Sequence, residues 1–565
     1  MRRGALVVML LSISPAIGGT LRAQQIEERP EVMRALDLET AGKYKEAAAA
    51  LRVIVRATPT PTAVLGLERV YAELGMSDSL LAPLDTIIAN FPRETVYRTV
   101  QLRTLQILRR DERLRDAFEK WVRAMPRDPA PFREYARVLI QLGRPASADS
   151  IVMRGRLALG SLKDLEYENA QLRAAMGDWT ASAQSWRRAL VDAPHLANAS
   201  AYSLAPAPQA MRDAIRTALS VPPADPGSRR ALAELELTWG RPDQAWEALR
   251  ALRPDTAAAT MWDEFGERAY IEERWSIARD ALTAAVRVRR TPQLAQRAAA
   301  AALRAGSPNE VFALVPISEW EGDPARMGRE PLALHVGALV ALGRAGDAEA
   351  LINRFDRQLV PAQRMRLAQM VATAWVRSGD LAKARAALSA AGPEADSSEA
   401  AGWLALYEGR LGAARSMLKT SRAPNPDLAL AMAIVARTKG DSAPQLGAAF
   451  LALARGDSNA ASRKFVEAAT AHVEVAPPLL LIAARLRAAK ADDAIPIWTR
   501  IVAEHPNTPE AVESELEWAR TLRKRGDVAG ATAHLEHLIL SAPQSALLPQ
   551  ARRELEMSRG TVPPS

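Results

Sequence analysis

A chain of 565 residues is too long for one hydrophobic core, and the absence of cysteine excludes disulfides, thiolate metal sites, thiol nucleophiles and a lipidated cysteine. The net charge of +9 becomes +6 without residues 1–23, which hold Arg2, Arg3 and Arg22 and no acid. That modest excess, without a basic tail, an RNA-binding motif or a basic strand interleaved with aromatics, argues against nucleic acid as a partner.

The first element is a leader. Arg2 and Arg3 precede an apolar run over residues 5–13, followed by Pro15, Gly18 and Gly19, with a cleavage position after Ala23. This charged, apolar, small-residue order is that of a secretory signal peptide over residues 1–23, so export, with a periplasmic destination, is expected. The run is shorter than the ~20 residues that span a bilayer. No other segment is apolar for long enough, so no transmembrane span is expected.

From Gly42 onward one pattern recurs. A glycine, an alanine five residues later and often a proline twelve after that return through Gly75, Arg109, Gly143, Gly177, Ala205, Gly240, Glu273, Gly306, Gly343, Gly379, Gly409, Gly456 and Ala489 to Gly526. The span of 484 residues (526 − 42) over 14 intervals gives a mean period of 34.6, the mark of a helical repeat array. Glycine at the anchor takes the left-handed conformation that closes a helix. Asp178, Asp380, Asp457 and Asp527 follow it as N-caps of the next helix. The alanine admits a close helix contact. Proline at Pro59, Pro92, Pro126, Pro194, Pro222, Pro426, Pro506 and Pro543 stops the second helix. Each unit reads helix, turn, helix, stop.

Gly177, Asp178 and Trp179, followed by Trp186, Ala189 and Pro194, resemble a tetratricopeptide repeat; Tyr44 repeats the aromatic two residues after the glycine. The C-terminal copies, with residues 501–506 leading into 507–511, are similar to the form found in bacterial envelope proteins. The resemblance covers nearly the whole chain after residue 25. It implies an all-α fold, an α-solenoid forming a right-handed superhelix of about 15 repeats, as suits an array that grows by stacking neighbours.

Along that array the expected divisions are an N-terminal array over 24–195, a central degenerate array over 196–426 and a C-terminal array over 427–560 with a capping helix near 547–557. The unit at Ala205 has a short, proline-flanked first helix. The 47 residues from Gly409 to Gly456 leave room for an extra helix over 427–438. Most of the 12 tryptophans fall at packing positions, but Trp262, Trp320 and Trp403 do not and are candidates to face a partner.

Arg69, Arg103 and Arg137 occupy one register site on three consecutive first helices, and Arg133 lies one turn before Arg137. The resemblance places that helix along a concave groove. Stacked guanidiniums there would form a ladder for carboxylates or phosphates spaced along an extended, acidic protein or peptide ligand. The competing reading is that each arginine pairs with an acid of a neighbouring unit; on the ladder reading the sites lie off the interhelix contacts and tolerate replacement. The Lys and Asn residues by which some related domains clamp a C-terminal carboxylate are missing at these sites.

Enzyme motifs are absent. His534 and His537 sit at i, i+3 without an evident third ligand, and read as the outer surface of a second helix. No phosphate-binding loop or serine nucleophile elbow occurs, so neither cofactor nor bound metal is expected. The expected function is a non-catalytic exported scaffold that binds protein or peptide in cell-envelope assembly or trafficking. The alternatives are a scaffold for export of an anionic envelope polysaccharide, or a cytosolic regulatory repeat protein should residues 1–23 not direct export.

Overall fold

The computed structural model describes residues 30–223, 225–320, 330–419 and 426–560; residues 1–23, read as a leader, lie outside them. Among the described residues there are 32 α-helices and no strand beyond a single isolated bridge. The chain divides into two compact units between Arg253 and Pro254, each an α-solenoid of helical hairpins.

In residues 30–192 the first helices are Pro30–Thr40, Pro61–Glu73, Thr95–Ile107, Ala130–Gln141 and Glu166–Ala175. Four of them pack on their own second helices, Tyr44–Ala57, Asp111–Ala124, Pro145–Leu159 and Trp179–Asp192, while Pro61–Glu73 meets its hairpin partner Leu81–Asn90 through the 3-10 turn Ser77–Leu80. Over residues 30–175 successive first helices touch one another and the second helices pack on the next first helix, whereas Trp179–Asp192 also packs on the following second helix, Arg212–Ser220. In a layered array the elements that touch along the row lie on its shorter side. The first helices therefore line the inner face over residues 30–175.

The turns explain the period. Thirteen of the fifteen anchors have positive φ: eleven glycines, plus Arg109 at 52° and Glu273 at 60°. The residue after each turn donates its N–H five residues back, as in Lys43 to Leu38 (2.9 Å), Asp178 to Arg173 (2.9 Å) and Asp527 to Leu522 (3.0 Å). These are the six-to-one bonds of a Schellman motif. Asp178, Asp380, Asp457 and Asp527 each accept the backbone N–H three residues on, a cap worth ~1 kcal/mol. The alanines five residues after the anchors, such as Ala47, Ala148, Ala245, Ala384 and Ala531, are fully buried. Prolines at 59, 92, 126, 194, 222, 506 and 543 each stand just past the end of a second helix.

Arg109 and Glu273 carry the backbone conformation of a glycine with a side chain attached. For an L-residue that conformation costs ~1–2 kcal/mol, and glycine's greater freedom when unfolded offsets part of the relief. Arg109→Gly and Glu273→Gly are each expected to stabilise the protein by roughly 0.5–1 kcal/mol. Unchanged denaturant midpoints for both would mean that the turns are not strained.

Two anchors, Ala205 and Ala489, lack the positive φ, and the interval after Gly409 departs in length. Ala205 is right-handed (φ −55°), so its unit has no such turn, and Ala210 five residues on is exposed. Instead, Ala197–Leu204 is joined to Arg212–Ser220 through a short 3-10 turn. The indole of Trp239 donates to Ala205 O at 3.2 Å. Trp262 and Trp320, candidates for a partner face, are core residues at 4% and 3% exposure.

The third departure is the long interval. Pro426 does not end a helix; it begins the extra one, Pro426–Arg437. That helix and Leu411–Leu418 form an excursion from the array. The chain leaves at Gly409 and Arg410 and returns at Ser442 and Ala443, where Ala443 N–H bonds Gly409 O at 2.8 Å and Arg410 bridges Ser442. Arg415 laces the excursion by donating to Val435 O (3.0 Å), Gly440 O (2.8 Å) and Asp441 (3.0 Å). Pro444–Ala454 then packs directly on Glu399–Tyr407, so the first-helix row resumes.

Within residues 254–560, His335 is buried, with Nε2 2.6 Å from the Val315 carbonyl and ring edges of Phe312 and Trp320 against it. Burial lowers its pKa from the usual 6.5, outweighing the bond to Val315. The folded value lies below the unfolded one. Stability is therefore full above 6.5 and declines as the pH falls through the acid range, where only the unfolded chain gains the proton. His335→Gln retains a donor for Val315 without titrating. Denaturant midpoints at pH 7.5 and 5 are expected to differ less in that variant than in the parent; equal differences would remove the histidine from the pH response.

Candidate functional site

The inner face of residues 30–175 brings the predicted arginines together. Thr60 caps Pro61–Glu73 by accepting Ala63 N–H (3.3 Å), and Asp128 holds the start of Ala130–Gln141 through Ala130 N–H (2.8 Å). Arg69, Arg103 and Arg137 thus recur at one register position on successive helices that touch.

Each guanidinium is already paired. Arg69 reaches back to Glu39 on the previous first helix, Nε to Oε1 at 2.6 Å and Nη2 to Oε2 at 2.8 Å. Arg103 repeats this fork on Glu68, at 2.9 and 2.6 Å. Arg137 reaches forward, with Nη2 3.1 Å from Glu168 on the next first helix and Nη1 3.1 Å from Glu134 on its own. The expectation that these sites lie off the interhelix contacts is therefore corrected: they are interhelix contacts. A face shared by register shows which side chains point the same way, but not which acids stand opposite.

Burial is divided unequally within each pair. The arginine side chains are 55%, 40% and 36% exposed, whereas Glu39, Glu68 and Glu168 are 17%, 14% and 2% exposed. The cations stand outward on carboxylates set into the helix layer. The Glu39 hydrogen bond holds the Arg69 pKa above the ordinary range. For Arg137, burial works against the charge, and Glu134 and Glu168 more than offset it. Burial pushes the Glu168 carboxyl up, with Arg137 and Arg133 pulling against it. Its Oε2 has no hydrogen-bond partner among the described residues. In the two forks the carboxylate takes Nε and Nη2, leaving the remaining N–H groups of the guanidinium to the solvent side. One turn on, Gln106 donates to Gln141 between adjacent first helices at 2.8 Å. The face is charge-balanced and rich in donors and acceptors.

The same clamp recurs beyond the predicted set. Arg485 pairs with Glu513, and Arg520 with Glu554, each joining neighbouring first helices. His534 and His537 do not merely decorate an outer surface. Both aim Nδ1 at the buried Glu515 Oε1, at 3.3 and 2.7 Å, and the His534 ring lies 4.0 Å from that of Trp518. Among the described residues no group of three His, Asp or Glu is placed to hold a metal ion, and no helix is long and apolar enough to cross a membrane.

No protein-family model and no curated protein matches the sequence. Solved structures similar to the chain include the APC/C hetero-tetramer Cut9-Hcn1 (12% identity over 93% of this chain and 95% of that one, TM-score 0.24). Naa15/Naa10 bound to HypK-THB is similar at 13% identity (94% and 96%, TM-score 0.21). The pentatricopeptide repeat protein PPR10 in complex with an 18-nt psaJ RNA element is similar at 13% identity (95% and 90%, TM-score 0.30). At such scores the assignment rests on the chain's own hairpins: the protein is an α-solenoid of tetratricopeptide-like repeats.

Proposed function

We propose that this protein is an exported, non-catalytic scaffold that holds an extended peptide segment of a partner protein against the first helices of residues 30–175. The observation that carries this reading is the column of Arg69, Arg103 and Arg137, outward guanidiniums fixed on inward carboxylates. A guanidinium held by a fork is pre-oriented, so less side-chain freedom is lost when it meets a ligand carbonyl or carboxylate. Because each positive charge is matched, the column favours a peptide of mixed charge over a uniformly anionic polymer. The leader over residues 1–23 supports a periplasmic location, with the mature chain starting at Gln24.

Charge reversal at the arginines alone would confound binding with folding. The test is therefore a paired swap, Glu39→Arg with Arg69→Glu and Glu68→Arg with Arg103→Glu, which keeps each ion pair and reverses the outward charge. Because Glu39 and Glu68 are mostly buried, the larger arginines there are expected to cost about 1–3 kcal/mol in melting without unfolding the chain, while a partner crosslinked in the native cell is no longer recovered. Undiminished recovery from the swapped protein would remove this face from binding. N-terminal sequencing tests the location, and an intact Met1 would overturn export.

A further inference from the structure

Within residues 254–560 the first-helix row has a gap. Glu330–Ala341 touches Pro361–Ser378, and Glu399–Tyr407 touches Pro444–Ala454. Between these pairs, the 18-residue helix Pro361–Ser378 and the 9-residue helix Glu399–Tyr407 barely meet. The excursion after Gly409 contributes to this, because Pro444–Ala454 takes the place beside Glu399–Tyr407 and reaches one end of Pro361–Ser378.

The space left is a cavity of about 390 Å³, within the range of small-ligand sites. Ala372 and Val376 line one side, Trp403, Leu404 and Tyr407 the other, with Leu388 also lining it, while Gln369, Thr373 and Glu399 supply polar edges. Trp403 and Tyr407 lie nearly parallel, 29° apart with centroids at 6.0 Å, and Phe450 meets Trp403 at 61°. Trp403 is fixed by its Nε1 bond to Glu399 at 3.2 Å. The Tyr407 hydroxyl bonds to nothing else among the described residues, and burial pushes its pKa up to about 12, so it is a neutral donor.

We infer that this gap is a binding pocket for one planar aromatic ring, which lies against Trp403 and Tyr407 and meets Gln369 or the Tyr407 hydroxyl with its polar edge. Stacked and edge-on aromatic pairs favour a ring over an aliphatic group of similar size. The polar atoms stand at the margin of an apolar floor, where the N–H of an indole or the O–H of a phenol would find them. The pocket is built from residues 369–454 and does not depend on the arginine column. The ring has two possible sources, a peptide side chain or a free aromatic molecule.

Ligand-detected saturation-transfer NMR and calorimetry on the full chain test it, with N-acetyl-tryptophan amide and N-acetyl-tyrosine amide for the first source, indole for the second, and N-acetyl-leucine amide as the aliphatic control. Saturable binding of at least one aromatic probe is expected, about tenfold tighter than the leucine control. Trp403→Leu removes the wall. Thr373→Trp, at an exposed rim position, fills the space without disturbing a core residue. Both are expected to weaken binding about tenfold or more. Tighter binding of the amino-acid amides identifies a side chain as the occupant, and tighter binding of indole identifies a free ring. Failure of all aromatic probes to saturate, equal binding of the leucine control, or undiminished binding by the folded Thr373→Trp protein would overturn the pocket.

Discussion

Gly447→Ala is expected to destabilise residues 254–560 by roughly 3 kcal/mol, the upper end of the usual overpacking range. A Cβ there would lie 2.5 Å from Gly409 N, 2.7 Å from Leu406 O and 2.8 Å from Tyr407 O. All three are backbone atoms, so no side chain can rotate away. Relief requires Pro444–Ala454 to lift off the end of Glu399–Tyr407, which breaks the Ala443 to Gly409 bond that closes the excursion. Gly346→Ala is the control. It lies in a helix where the nearest atom to a new Cβ is Trp375 Cζ2 at 4.0 Å, and alanine there should be neutral or stabilising by up to about 1 kcal/mol. Equal denaturant midpoints for the two variants would show that the backbones do not meet at Gly447.

Arg137→Met is expected to cost about 3 kcal/mol at neutral pH, the lower end for breaking a buried pair, since the arginine itself is partly exposed. The loss comes from Glu168, 2% exposed, which is left without its cation. Its pKa already lies above the usual 4.5 through burial, and removing Arg137 raises it further. A carboxyl whose folded pKa is raised disfavours the folded state once the pH exceeds the unfolded value. Below that value it is neutral in both states and the penalty vanishes. The variant should therefore lose more stability at pH 8 than at pH 4.5, and Arg137→Met with Glu168→Met should recover much of the loss. Urea midpoints at the two pH values decide this, and a loss independent of pH would mean that Glu168 is not its source.

How much was legible in the sequence follows from what each feature depends on. The turns depend on a few consecutive residues, and their register is strong enough that Arg109 and Glu273 were placed at anchors without being glycine; both have positive φ. Burial at the alanine site and the Asp caps follow from the same local geometry. Ala205 was placed at an anchor by spacing alone, and there the turn is missing. Periodicity grouped Arg69, Arg103 and Arg137 on one face, but Glu39 and Glu68 stand 30 and 35 residues before their arginines and Glu168 stands 31 after its own, so the offset is not constant. No fixed spacing ties each Arg to its Glu, so the periodicity carried no signal for the partners. Trp403 was singled out for lacking a packing role, yet the cavity beside it depends on two first helices failing to meet. That fact belongs to no segment of the sequence.

The clasp at Gly409 also bears on how the chain opens. In an ordinary stack each hairpin touches only its neighbours, so hairpins can fray one at a time from either end. Here Glu399–Tyr407 completes its packing only with Pro444–Ala454, and helix Pro426–Arg437 leans on Val473–Val475. None of these can detach without the others. Amide exchange across residues 399–475 should therefore report one cooperative opening, set between hairpins that exchange by graded local fraying.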